Sequence, residues 1–149
     1  MKKLTLFLLL STLLISYEKL ENVTVGVQDF NRYEKKLLGT HKLSLQWISW
    51  DRFGKAKITK QNGILTITGE QRIKDEYLRI HGTISDIKAK SFVFDGEIIT
   101  KINFIAKGKE CRREGKMEFK ITKNRRYWRL QDMDNPCSNV VDYVDIFFK

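Results

Sequence analysis

The sequence predicts an all-β protein: an up-and-down antiparallel barrel of about eight to nine short strands with one short N-terminal helix, a β-sandwich being the alternative. Three observations predict it. Apolar and polar residues alternate with period two through most of residues 41–148, as strands with one buried face require. Turn signals recur roughly every eight to twelve residues. The 149 residues, 42% of them hydrophobic, contain no internal repeat and no Gly/Ser/Pro-rich linker, which fits one domain with a real core. Hairpin-by-hairpin order favours the barrel, because a meander brings its last strand back to its first and closure removes exposed edges.

The chain begins with a basic Met1-Lys2-Lys3 and an apolar run from Leu4 to Ile15, broken only by Thr5, Ser11 and Thr12. About a dozen apolar residues are too few to cross a hydrocarbon core of roughly 30 Å as a helix. The run suits the h-region of a secretory signal peptide over residues 1–16, with the barrel domain at 17–149. Ser16 is a small residue before the cut, but Leu14 stands where a second small residue is preferred; an uncleaved membrane anchor is the alternative. No cysteine follows the run, which argues against a lipid-modified N-terminus. The expected location is exported: periplasm, outer envelope or secreted.

Residues 17–28 are ambiguous, with Val23, Val25 and Val27 alternating as a short strand would. Asp29 is placed to cap a helix carrying Phe30, Tyr33, Leu37 and Leu38 at helical spacing, with Gly39 as its stop. In the first barrel strand His41, Leu43, Leu45 and Trp47 share one face and Lys42, Ser44 and Gln46 the other; Ile48 and Trp50 break the pattern at a bend. Ala56 and Ile58 alternate with lysines up to the Asn62-Gly63 hairpin, and Leu65 and Ile67 continue beyond it. Lys74-Asp-Glu is a second turn, followed by Leu78, Ile80, Gly82 and Ile84. Phe92 and Phe94 lead to Asp95-Gly96, read as a further hairpin, from which Ile98 to Ile105 returns. Gly108 and Gly115 punctuate the next link. A last hairpin at Lys123-Asn124 joins Met117, Phe119 and Ile121 to Trp128 and Leu130, and a closing strand spans 140–148.

In an oxidising compartment Cys111 and Cys137 are expected to pair, stabilising the fold by roughly 3 kcal/mol on chain-entropy grounds; two buried thiols are the alternative. A zinc site is a poor fit, since zinc needs about four ligands and His41 and His81 have no matching spacing. The net charge is +10. From Lys107 to Arg129 ten Lys/Arg stand against three Glu, followed by Asp132, Asp134, Asp142 and Asp145. Cross-strand pairing between basic hairpin and acidic closing strand is one use of this charge. The outward set Arg112, Arg113, Arg125, Tyr127 and Arg129 is the candidate basic surface.

At Leu37-Leu-Gly39-Thr-His41-Lys-Leu43 the chain resembles the opening of lipocalin-like (calycin) barrels, where a glycine, one residue and a tryptophan begin the first strand. In that family an arginine from the last part of the barrel packs over the tryptophan and closes one end. Gly39 matches, His41 stands where tryptophan is expected, and Arg126, with Arg129 as alternate, is the implied closing arginine.

No nucleophile elbow, phosphate-binding glycine loop or His-Glu-x-x-His is present, and no cofactor motif is found, so the chain is read as a non-enzyme. Asp132-Met-Asp134-Asn135 lacks the glycine and distal glutamate of a calcium loop and reads as turn chemistry. Asp95 and Glu97 read as solvated turn residues. The inward aromatics Trp47, Phe92, Phe94, Phe119 and Trp128 can line a cup for a small apolar or amphipathic ligand, or fill a core. Two functions follow: an exported binding barrel for such a ligand, or an envelope interaction module working through its outer basic face on an anionic surface. Nucleic acid is a poor partner for an exported protein.

Overall fold

The alternation becomes eight antiparallel strands in the computed structural model of the chain, which describes residues 2–149, with side chains from Leu14 onward. A helix α1 (Lys2–Leu37) is followed by β1 (Gly39–Leu45), β2 (Gly54–Gln61), β3 (Ile64–Ile73) and β4 (Glu76–Ser85). Then come β5 (Ser91–Lys101), a 3-10 turn at Ala106–Gly108, β6 (Glu110–Lys120), β7 (Tyr127–Leu130) and β8 (Val144–Phe147). Each strand pairs with the next, and β8 pairs back onto β1 through Leu43↔Ile146, Ser44↔Asp145 and Leu45↔Val144. The sheet is therefore a closed barrel and not a sandwich. Residues such as Leu43, Ile58, Ile67, Ile80, Ile98 and Ile146 point inward and are almost wholly buried.

The chain divides into two compact units, one ending at Lys35 and one spanning Lys36–Lys149. The first is the body of α1, on which Leu14, Tyr17, Leu20, Val23 and Val27 are all exposed. The helix is long, where a short one is expected, and it takes in Val23, Val25 and Val27, whose alternation leaves residues 17–28 ambiguous in the sequence. A lone Val-x-Val-x-Val segment has no edge to join, because β1 already has β2 and β8 as partners. A helix satisfies its backbone groups internally. The basic start and the apolar run as far as Leu13 lie, as side chains, outside the described residues. Among the described residues no helix is long and apolar enough to cross a membrane.

The Asn62-Gly63 hairpin forms as expected, both residues having positive φ, and Lys74 turns β3 into β4. The first strand stops at Leu45, where Ile48 and Ser49 bond back to its carbonyl, so Trp47 lies beyond the ladder. Asp95-Gly96 is not a turn. It lies inside β5, and the reversal from β4 falls at residues 86–90, where Lys88 N donates to Ser91 O at 2.8 Å.

The reason is visible across the sheet. Gly82, Gly96 and Gly115 occupy one row of β4, β5 and β6. A Cβ on Gly96 would meet His81 O at 2.3 Å, Gly82 Cα at 2.5 Å and the Phe94 ring at 2.8 Å. The glycine row lets neighbouring strands approach closely and leaves room for Phe94 against the inner wall. Substituting Gly96→Ala is expected to lower stability by about 1–3 kcal/mol through overpacking against backbone, read as a reduced urea midpoint at unchanged m-value.

Candidate functional site

The interior holds Phe92, Phe94 and Phe119, all essentially inaccessible to solvent. Phe92 and Phe119 stack with centroids 5.3 Å apart, Phe94 meets Phe119 edge-on at 6.0 Å, and Phe92 meets Trp128 at 5.9 Å. These four aromatics fill the barrel against one another. Trp47 does not join them: it lies outside the ladder, half-buried, against Phe104.

At the end of the barrel where β1 begins, Gly39 has φ of 114° and starts the strand. His41 is buried there with Nδ1 2.8 Å from Phe147 O and Nε2 against the carbonyl of Leu37, the last helical residue. Its ring also meets Trp128 edge-on at 5.9 Å. Arg126 is not the closing cation. Since β7 starts only at Tyr127, Arg126 falls outside the ladder and is exposed. The Lys36 ammonium takes that place, 5.4 Å from the Trp128 centroid and 3.7 Å from that of Phe148, and its burial lowers its pKa. Compared with the lipocalin-like pattern the partners are exchanged, with the tryptophan on the late strand.

The opposite end is closed by a polar cap. Asp142 is buried and accepts from Trp47 Nε1 (2.9 Å), Arg113 (2.8 Å) and Asn135 Nδ2 (2.8 Å). Arg113 also donates to the carbonyl of Asp134 at 2.8 Å. Asn135 Oδ1 accepts from the backbone N–H of Cys137. The Cys111–Cys137 disulfide is formed, with Cα atoms 5.8 Å apart, and holds this segment to β6.

Of the expected basic surface, then, two members are structural. Arg113 shares the inward parity of Cys111, Met117 and Phe119, a signal present in the sequence. Arg129 is outward but buried, bonded through two nitrogens to Asp145 at 2.7 Å each and lying 4.0 Å from the Tyr143 centroid. Burial raises the Asp145 pKa, and the Arg129 guanidinium, with Arg125 beyond it, offsets only part of that rise. Arg112 is exposed and paired with Glu97, so Glu97 is not free in solvent. His81 sits on the outer face with Thr68 Oγ1 at 3.1 Å.

Arg125 and Tyr127 remain, and the structure adds to them residues that the sequence reading had not singled out. Across the outer face, β1–β2 pairing sets Lys42 beside Lys55 and Thr40 beside Lys57; β7–β8 pairing sets Tyr127 beside Phe147. Phe147 contacts both Phe53 and Tyr127 with centroids 5.1 Å apart, and Lys42 Nζ lies 5.0 Å from the Phe53 centroid. Phe53 is 37% exposed. Among the described residues the ion pairs do not include Lys42, Lys55, Lys57, Arg125 or Arg126. Lys55 faces Glu70 across the ladder, but that carboxylate is held by Arg72 and Arg79. The hydrogen bonds from Arg72 and then Arg79 bring the Glu70 pKa from 4.5 down to about 2. The result is an aromatic strip (Phe53, Phe147, Tyr127) bordered by cations that stand outside these ion pairs, carried by β2, β1, β8 and the approach to β7.

Open clefts lie at the polar cap, one of about 570 Å³ beside Trp47 and Asn135 and one of about 360 Å³ between Arg112 and Pro136. Another, of about 500 Å³, is on the cationic face, lined by Thr40, Lys42, Arg126, Phe147, Phe148 and Lys149. None of these three is lined by Phe92, Phe94, Phe119 or Trp128.

The match to the PM1083 family covers residues 24–148, all eight strands included. The chain belongs to the PM1083 family. It is similar to the uncharacterized protein PM1083 of Pasteurella multocida (strain Pm70), 48% identical over 121 residues that cover 81% of this chain and 79% of that protein. No solved structure matches. The closed eight-strand form of this PM1083-family chain is consistent with a lipocalin-like barrel in architecture.

Three outcomes test the sorting of charges. Asp142→Asn leaves Arg113 buried without its counter-charge and is expected to cost about 3–5 kcal/mol in urea unfolding. Arg112→Ala, at an exposed pair, is expected to cost no more than about 1 kcal/mol. For Glu70, whose folded pKa lies below its ordinary one, the stabilisation is complete above about pH 4.5 and is lost as pH falls toward about 2. Glu70→Gln should therefore be less stable at neutral pH yet lose less stability over that acid range, measured by urea midpoints at successive pH values.

Proposed function

We propose that the protein is an exported, non-enzymatic interaction module of the cell envelope that docks on an anionic surface through the outer face of β2, β1 and β8. One observation carries the reading: Lys42, Lys55, Lys57, Arg125 and Arg126, which enter none of the ion pairs among the described residues, border the partly exposed aromatic strip of Phe53, Phe147 and Tyr127. Cations outside the ion pairs of the described residues keep more of their attraction for an external anion than Arg113 and Arg129, which are already neutralised. Aromatic rings beside them suit an interface that is apolar on one side and wet on the other. The closely packed interior favours this reading over a carrier of small apolar ligands, since such a ligand would have to displace Phe92 or Phe119 from their mutual stack. The Cys111–Cys137 disulfide supports export, because such bonds persist in oxidising compartments. The lipocalin-like resemblance enters at the level of architecture.

The test is cosedimentation of the full chain with anionic phosphatidylglycerol vesicles, using phosphatidylcholine vesicles as the baseline for anything the apolar N-terminal run contributes. Binding above that baseline should weaken with salt. Reversal of Lys42, Lys55, Lys57 and Arg125 to Glu should reduce it at least tenfold with an unchanged melting temperature, each cation near an anionic membrane being worth about 1 kcal/mol. Unchanged binding by this variant would remove the reading.

A further inference from the structure

Within that face, we infer that the cleft between the start of β1 and the end of β8 is a seat for the phosphodiester of an anionic glycerophospholipid headgroup; the inference rests on the anionic-surface reading above and names its partner. The cleft, about 500 Å³, lies within the size range of small-ligand sites. Its basic groups come from three separate places: Lys42 on β1, Arg126 before β7, and Lys149 after β8. Among the described residues no acidic side chain lines it, and the Thr40 hydroxyl supplies a further donor. A phosphodiester oxygen pair matches the guanidinium fork of Arg126, with Lys42 as a point charge opposite.

The walls are fixed rather than loose. Phe148 N donates to Arg126 O at 3.0 Å, which ties the arginine's backbone to the cleft wall. Phe148 is held between Trp128, centroids 4.6 Å apart, and the Lys36 ammonium. Phe147 is held between Phe53 and Tyr127. Lys149 Nζ donates to Leu38 O, which ties Lys149 to the residue before β1. The two adjacent phenylalanines give the cleft an apolar lining on which the glycerol and upper acyl carbons of a lipid can rest. A soluble polyanion would meet the lysines equally well but has no use for that lining. The lipid is therefore the occupant favoured.

The experiment separates headgroup chemistry from charge. The full chain is titrated with phosphatidylcholine vesicles containing either phosphatidylglycerol or oleate at equal surface charge. Choline carries a cation beside its own phosphate, so the phosphatidylcholine background competes weakly. The expected result is at least tenfold tighter binding to phosphatidylglycerol. The double substitution Lys42→Ala/Arg126→Ala should abolish that preference, while Lys55→Ala/Lys57→Ala, which removes the same charge outside the cleft, should weaken both vesicles alike and leave the preference intact. Unchanged urea midpoints show that both variants fold. Equal binding of the native chain to the two vesicles, or a preference that survives Lys42→Ala/Arg126→Ala, overturns the cleft assignment and leaves the anionic-surface reading standing. Binding to neither vesicle above the phosphatidylcholine baseline overturns both. So does polyphosphate binding that is equally strong and insensitive to the cleft substitutions, since it would assign the face to a soluble polyanion.

Discussion

The ladder between β1 and β8 is three residue pairs long, and the enclosure of the core hangs on it. Without those pairs Leu43, Leu45, Val144 and Ile146 would lie along two open edges, and the aromatic stack of Phe92 and Phe119 would face water through the gap. So short a ladder needs help, and side chains supply it on both sides. His41 reaches the Phe147 carbonyl at one end. Gln46 takes the Tyr143 N–H and donates to the Val141 carbonyl at the other, and Trp47 bonds Asp142 just beyond. Each of these bonds joins the first strand's flank to the last strand's flank, so the seam is held by polar side chains placed where the backbone pairing stops.

Charge is sorted by the same closure. Where a cation falls on the inner wall or under outer aromatics, it has a carboxylate to itself: Arg113 has Asp142 and Arg129 has Asp145. Removing one partner from such pairs is far costlier than the pair's net stabilisation, because an uncompensated charge stays behind in a poorly solvated place. Around β2, β1 and β8 the sorting runs the other way. Asp145, on β8, and Glu70, across the ladder from Lys55, are both already engaged by arginines, and the lysines at 42, 55 and 57 are left over. A net positive face thus arises from where the acids are spent, more than from an excess of bases in any one stretch.

The sequence showed this unevenly. Period-two alternation and Asn62-Gly63 are local signals, and they located most of the strands and the barrel class. Asp95-Gly96 looks locally the same as a hairpin turn; what makes it strand is Gly82 on one neighbour and Gly115 on the other, a relation visible only once the register is known. The valines at 23, 25 and 27 alternate as a strand would but have no open edge to pair with. At the candidate site, Arg113 was readable from parity with Cys111 and Met117. Its partner Asp142, 29 residues away, was not. The outward lysines at 42, 55 and 57 could be assigned to a face from alternation alone, but their adjacency to Phe147 depends on the seam, the longest-range contact in the barrel.

The disulfide bears on how that seam is reached. β8 is the last strand of the chain and must find β1 about a hundred residues earlier, a search whose entropic cost grows with the length of unfixed chain. Cys137 precedes β8 and is bonded to Cys111 on β6, a strand already laid down beside β5. Once the two sulfurs are joined, the segment still at liberty is the handful of residues from Ser138 to Tyr143, not everything after β6. Oxidation thereby turns the final pairing from a distant encounter into a tethered one.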